Sequence, residues 1–134
     1  MIDRDLYIEV MAFLSNSGGT YRNLDNDTCR DVIDAMFENQ YRLVRDASGN
    51  IISFTTWWMI YEADLEIVKN GHRPKDTTGG NIVYVADHAG QCTRPGLVKY
   101  LRDTVGEIDS CWHHRFKRPD KFRYRPSRMG VANV

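Results

Sequence analysis

An acidic residue, Asp87, follows the apolar run Ile82–Ala86 and precedes a short loop that contains glycine. The run is rich in β-branched residues and follows a Gly-Gly-Asn turn, which predicts a buried strand that ends at Asp87. The loop, predicted over Ala89–Gly96, leads into apolar residues at helical spacing. Its amides and the N-terminus of that helix would form a cradle for an anion, suited to a pyrophosphate or a thioester carbonyl. In the simpler alternative, Asp87 only caps a helix or closes a turn.

The predicted loop contains polar residues and small residues that allow a close approach to its backbone. Arg94 suits pairing with a phosphate, although a solvated arginine in a turn is an equal alternative. The Cβ of Arg94 would crowd the close approach of a ligand to the backbone that a glycine permits. The residues predicted to bind a thioester acyl donor are Ala89, Gly90, Gln91, Arg94 and Gly96.

Histidine is the side chain best suited to accept a proton near neutral pH. His88 adjoins Asp87 and is therefore a second catalytic candidate, but it would point away from Asp87 if the strand continued. His113 and His114 are adjacent on a predicted strand and face opposite sides, which argues against a shared metal site. We expect no metal in this protein.

The chain has 134 residues and a formal net charge of 0, which predicts a single domain over residues 1–134. A domain of this size buries roughly two-thirds of its unfolded surface without disulfide bonds. The balanced charge provides no overall field toward nucleic acid or an anionic membrane. No apolar run reaches the ~18 residues of a membrane helix, and the N-terminus is a poor signal peptide. Together with three widely spaced cysteines, these features predict a soluble cytoplasmic protein with reduced thiols.

Basic residues are concentrated near the C-terminus, where seven lysines and arginines lie within residues 115–128. Aromatic residues alternate with them. This segment would suit an acidic carrier protein, RNA or the acidic face of a partner, whereas the alternative is a solvated strand edge that discourages aggregation. Nucleic acid ranks last among these partners because no recognition motif accompanies the charge.

Alternating helix and strand patterns predict a mixed sheet with helices on both faces. We expect Asp27 or Thr28 to cap the second helix. The predicted helices are Leu6–Leu14, Cys29–Glu38, Ile60–Lys69 and Gly96–Val105, and the predicted strands are Tyr41–Arg45, Ile51–Trp58, Ile82–Ala86 and a last one near Ser110–Phe116.

Three segments in this order resemble the RTX toxin-activating lysine acyltransferases, small proteins with a fold like that of the GNAT acetyltransferases. They are Asn39–Asp46, Ile52–Trp57 and Gly79–Asp87, and the resemblance extends over about residues 16–128. It implies an α+β, GNAT-like fold with a mixed, mostly antiparallel sheet and helices on both faces. It also implies that Asp87 is catalytic and that Trp57 lines the substrate cleft.

The resemblance fails at the family's catalytic histidine, which lies in a segment like Asn16–Asn23. The equivalent position here is about Thr20, which the resemblance also places in the cleft, and no histidine precedes His72. A threonine hydroxyl cannot act as a general base near neutral pH. Either the chemistry differs from that of the family, or it has been lost.

The expected activity is transfer of an acyl group from a thioester donor to a protein lysine amine. The donor, acyl carrier protein or acyl-coenzyme A, would be a co-substrate, and we expect no permanently bound cofactor. The alternative is a catalytically inactive GNAT-like descendant that acts as a binding or assembly protein of a phage or prophage. The missing histidine and the altered loop favour this alternative. Its partners would be assembly proteins, its location would extend to the virion, and a homo-oligomer stays open.

Overall fold

The computed structural model describes residues 2–18, 21, 24–91, 94–106, 109–115 and 118–125, of which 94, 114–115 and 118–125 are described by backbone alone. The helices are α1 (Arg4–Ser15), α2 (Asn26–Glu38), α3 (Leu65–Lys69, after a short 3-10 turn at Glu62–Asp64) and α4 (Arg94–Val105). The strands are β1 (Tyr41–Arg45), β2 (Ile51–Ile60), β3 (Ile82–Gly90), β4 (Ser110–Arg115) and β5 (Arg118–Arg125).

The strands form one sheet in the order β1-β2-β3-β4-β5. The pairs β1–β2 and β4–β5 are antiparallel, and β3–β4 is parallel over Ile82–Val85. Contacts of Ile52 with Gln91 and of Thr56 with Asp87 run in opposite directions along the chain, so β2 and β3 are antiparallel as well. The predicted α+β fold with a mixed, mostly antiparallel sheet is therefore confirmed.

The first two helices begin at aspartate caps. The side chain of Asp3 accepts a hydrogen bond from the amide of Leu6, and that of Asp25 accepts one from the amide of Thr28 at 2.7 Å. The prediction that Asp27 or Thr28 caps α2 is wrong, because Asp25 accepts the hydrogen bond from the amide of Thr28 and the helix begins at Asn26. Such caps satisfy N–H groups that have no partner within the helix.

The hairpin between β1 and β2 forms as predicted. The amide of Asp46 donates to the carbonyl of Asn50 at 2.9 Å, and Gly49 has a φ of 89°. Glycine adopts this left-handed conformation without the steric cost that a Cβ would bring. The turn therefore sets the register of β1 against β2.

The prediction of a helix from Ile60 is wrong, because β2 continues through that residue. The amide of Met59 donates to the carbonyl of Thr77, and the amide of Gly80 donates to the carbonyl of Met59. A Cβ on Gly80 would lie 1.9 Å from the carbonyl oxygen of Ile60, so this pairing requires glycine. A further difference is β5, a strand of the basic C-terminal segment that lies beyond the last predicted strand.

The described residues group into two compact units, residues 1–57 with 86–91 and residues 58–85 with 92–134. In the first unit, Tyr21 and apolar residues of α1, α2, β2 and β3 share one core, whose other members are Val10, Leu14, Val32, Phe54 and Ala89. In the second, the ring of Trp58 packs against Tyr84 at 5.2 Å and beneath the guanidinium of Arg73. Both β2 and β3 contribute residues to each unit. That the chain forms a single domain stays a prediction.

Within the described part of the chain, no helix has the length and apolar character needed to cross a membrane.

Candidate functional site

Asp87 lies in the middle of β3 rather than at its end. The strand continues to Gly90, and the amide of Gln91 beyond it still donates to the carbonyl of Ile52 at 2.8 Å. The prediction that the strand ends at Asp87 is therefore wrong. Pairing with β2 continues the strand through Asp87 and His88, whose side chains form hydrogen bonds with Thr56 and Thr55 of β2.

The side chain of Asp87 is buried in the first unit, with 6% of its surface exposed, and is held by hydrogen bonds. The hydroxyl of Tyr21 donates to Oδ1 at 3.2 Å, and the hydroxyl of Thr56 donates to Oδ2 at 3.2 Å. Asp31 of α2 acts on the same carboxyl group and lowers the pKa of Asp87 through a hydrogen bond. A buried carboxylate needs such partners, because leaving its charge unpaired would cost several kcal/mol, roughly.

Burial raises the pKa of Asp87 above its ordinary value of 3.8, while the hydrogen bonds from Asp31, Thr56 and Tyr21 act in the opposite direction. The nearby charge of Asp25 adds to the rise. Asp87 is therefore a carboxyl group that binds a proton more readily than an exposed aspartate does.

Tyr21 joins Asp87 to the backbone of the next residue. Its hydroxyl oxygen accepts a hydrogen bond from the amide of His88 at 3.0 Å while its proton goes to Asp87. Burial, followed by the adjacent charge of Asp87, raises the pKa of Tyr21. The phenol therefore stays protonated and acts as a hydrogen-bond donor.

His88 and Asp87 point to opposite faces of the sheet, as expected for neighbours within a continuing strand. The Nδ1 atom of His88 lies 2.7 Å from the hydroxyl oxygen of Thr55, which is buried. The structure therefore does not bring the side chains of the two predicted catalytic residues together.

The predicted donor-binding loop Ala89–Gly96 is shorter than expected, because its first two residues belong to β3 and its last three to α4. Ala89 is buried in the core of the first unit, and the amide of Gln91 is already bonded to Ile52. A Cβ on Gly90, whose φ is 92°, would lie 2.1 Å from the carbonyl oxygen of Ile52. Close packing against β2 therefore explains this glycine without a ligand. Cys92 and Thr93 lie outside the described residues.

Of the two predicted cleft residues, the structure describes Trp57 alone. Trp57 is 1% exposed and follows Thr56, whose side chain shares the face of Asp87, so the indole points to the other face. Trp57 and Asp87 therefore do not share a face of the sheet, and the assignment of Trp57 to a substrate cleft stays a prediction. Thr20 lies outside the described residues.

The structure also bears on the remaining cysteine and metal predictions. Burial raises the pKa of the Cys111 thiol to about 12, so it stays a thiol. Among the residues that the structure describes, no group of three or more histidines, cysteines and carboxylates is arranged to hold a metal ion.

Comparison with protein-family models finds no match, and comparison with curated proteins finds none. Function must therefore be argued from the chemistry of the site.

Three residues that hold Asp87 were missed by the sequence analysis: Tyr21, Asp31 and Thr56. Two of them left a signal. Asp31 lies one and four positions from the buried residues Val32 and Ala35, so it interrupts the apolar stripe of α2. Thr56 belongs to a polar pair within a strand that is buried along most of its length. Both patterns indicate a polar group that needs an internal partner.

Proposed function

We propose that this protein transfers an acyl group from a thioester donor to a protein lysine amine, with Asp87 as the general base. The resemblance to the toxin-activating lysine acyltransferases suggests the reaction class. One observation carries the proposal for this chain: a buried carboxyl group, paired with Asp31 and bonded to Tyr21 and Thr56. A raised pKa moves such a group toward the working pH of a base.

The reaction needs few steps from the protein. The neutral amine attacks the thioester carbonyl, a C–N bond forms, and the carbonyl electron pair moves to oxygen. Asp87 accepts the proton that the nitrogen loses. The electron pair on oxygen then re-forms the C=O bond as the C–S bond breaks, and the leaving thiolate takes the proton from Asp87, which restores the carboxylate. The hydrogen bonds from Tyr21 and Thr56 would limit the cost of burying the charge of Asp87.

The donor would be acyl carrier protein or acyl-coenzyme A, acting as a co-substrate. Arg94, at which α4 begins, would pair with a phosphate carried by either donor. The protein would act in the cytoplasm.

A second candidate is a non-catalytic binding or assembly protein with the same fold, such as a virion-associated protein of a phage. It is favoured by one observation: both oxygens of Asp87 already accept hydrogen bonds, and 6% of the residue is exposed. A polar network of this kind also suits a purely structural role, because satisfied buried networks specify a unique core.

Release of free thiol from acetyl-coenzyme A and from a long-chain acyl carrier protein tests the proposal. The acceptor is a lysine-rich protein whose mass is followed at the same time. We expect thiol release and a matching mass increase with the wild type. With Asp87→Asn, the rate of thiol release should fall by at least about 100-fold. The exposed Asp103 offers a matched control, since Asp103→Asn makes the same chemical change outside the site. No transfer from either donor would reject the acyltransferase and favour the binding protein.

A further inference from the structure

Building on the acyl transfer proposed above, we propose that Tyr21 is a catalytic residue whose hydroxyl donates a hydrogen bond to the oxyanion of the tetrahedral intermediate. This role belongs to a residue without a sequence motif of its own. It rests on where the Tyr21 hydroxyl lies relative to Asp87 and to the backbone of β3.

The hydroxyl of Tyr21 lies between the base and a backbone donor. It is 3.2 Å from Oδ1 of Asp87, to which it donates, and 3.0 Å from the amide nitrogen of His88, from which it accepts. Tyr21 is 6% exposed, so water does not compete freely for either bond. Both bonds belong to the same compact unit.

An acyl oxygen atom that replaced Tyr21 as the acceptor of the His88 amide would lie beside two donors, the N–H group of His88 and the O–H group of Tyr21. Paired donors aimed at a developing negative charge are the usual means of stabilising an acyl-transfer intermediate. In this proposal the acyl oxygen takes the hydrogen bond that the His88 amide now donates to Tyr21.

The proton on Asp87 determines when the hydroxyl is available. While Asp87 is a carboxylate, it is the strongest acceptor near Tyr21 and holds the hydroxyl proton. Once Asp87 accepts the proton from the attacking amine, its oxygen becomes a weaker acceptor. At the same moment the carbonyl oxygen becomes negative, so the hydroxyl turns to it. Because burial raises the pKa of Tyr21, the phenol keeps its proton and stabilises the charge as a donor.

Loss of a residue that only orients Asp87 would change the pH dependence of kcat in a different way. Loss of its hydrogen bond would displace the pH profile of kcat, and the rate would recover on the plateau where Asp87 is ionised. Loss of an oxyanion donor lowers kcat at every pH, and leaves KM for the donor nearly unchanged, because the bond forms only in the transition state.

The test compares Tyr21→Phe with the wild type in the thiol-release assay over a range of pH. We expect kcat to fall about 100-fold on the plateau, with KM for acetyl-coenzyme A changed by less than about threefold. Tyr7→Phe is the matched control, since it removes the same group from a tyrosine of α1, and it should leave kcat unchanged. Replacing Tyr21 with 4-aminophenylalanine keeps a donor on the same ring and should restore most of the rate.

The outcomes separate this inference from the proposed function. If the wild type transfers acyl groups and Tyr21→Phe keeps its plateau kcat, only the role of Tyr21 is overturned. If the wild type transfers nothing from either donor, the proposed function fails and the role of Tyr21 falls with it. If Tyr21→Phe does not fold, the 4-aminophenylalanine variant decides: a plateau kcat within about threefold of the wild type supports the role, and a larger loss overturns it.

Discussion

The hydroxyl of Tyr21 donates a hydrogen bond to Asp87 across 66 positions of sequence. This bond attaches the segment before α2 to the middle of β3 and places a phenol beside a buried carboxyl group. With Asp31 and Thr56, it gives Asp87 three hydrogen-bond partners from three parts of the first unit. The stability of this unit and the proposed chemistry therefore depend on the same carboxyl group.

Replacing Asp87 with asparagine should lower the free energy of unfolding by about 1–3 kcal/mol. The amide can accept some of the three hydrogen bonds, but its NH2 group would face a donor that the carboxylate accepts. Urea denaturation of the variant measures this loss, with Asp103→Asn as the control. A change as small as that of the control would show that the network contributes little to folding.

Asp87 should make the free energy of unfolding depend on pH. Because burial raises the pKa of Asp87 above 3.8, the folded chain holds its proton to a higher pH than the unfolded chain does. This contribution is complete below the unfolded pKa and is lost as the pH rises through the folded one. The free energy of unfolding of the wild type, relative to Asp87→Asn, should therefore decrease with rising pH.

Denaturation of both proteins from about pH 4 to about pH 8 measures this difference. The exposed carboxylates Glu9, Asp76 and Asp103 have pKa values lowered mainly by their hydrogen bonds, and they contribute in the opposite direction. They are present in both proteins and cancel in the comparison. A difference that is flat, or that grows with pH, would contradict burial as the main influence on Asp87.

Gly90→Ala should destabilise the protein by about 3–5 kcal/mol. The substitution combines a positive φ, which costs about 1–2 kcal/mol, with a Cβ placed 2.1 Å from the carbonyl oxygen of Ile52. Gly49→Ala is the matched control, because Gly49 also has a positive φ but would bring its Cβ into open space. It should cost about 1–2 kcal/mol. Equal losses would mean that β3 can shift away from β2 at this point.

Two phenylalanines should respond differently to truncation. Phe54 is fully buried in the core of the first unit, and Phe54→Ala should cost about 3–5 kcal/mol. Phe37 on α2 is 68% exposed, and Phe37→Ala should change stability by less than about 1 kcal/mol. Thermal or chemical denaturation measures both. A large loss for Phe37→Ala would indicate that this side chain is covered in solution.

Local patterns were enough to predict most of the elements. The turn at Asp46–Asn50 defines its own hairpin, and the apolar spacing of α1 and α2 predicts a helix in each segment. These features depend on residues close together in sequence, so propensity and periodicity report them directly. The importance of Asp87 was also visible from the strand before it.

Only the tertiary structure decided where the strands end and which residues surround Asp87. β2 and β3 extend beyond their predicted limits because each finds backbone partners that are distant in sequence, such as Thr77 for Met59 and Ile52 for Gln91. Tyr21, Asp31 and Thr56 meet Asp87 for the same reason. A buried carboxyl group takes its hydrogen bonds from whatever donors folding brings within about 3 Å, and spacing along the chain does not record that distance.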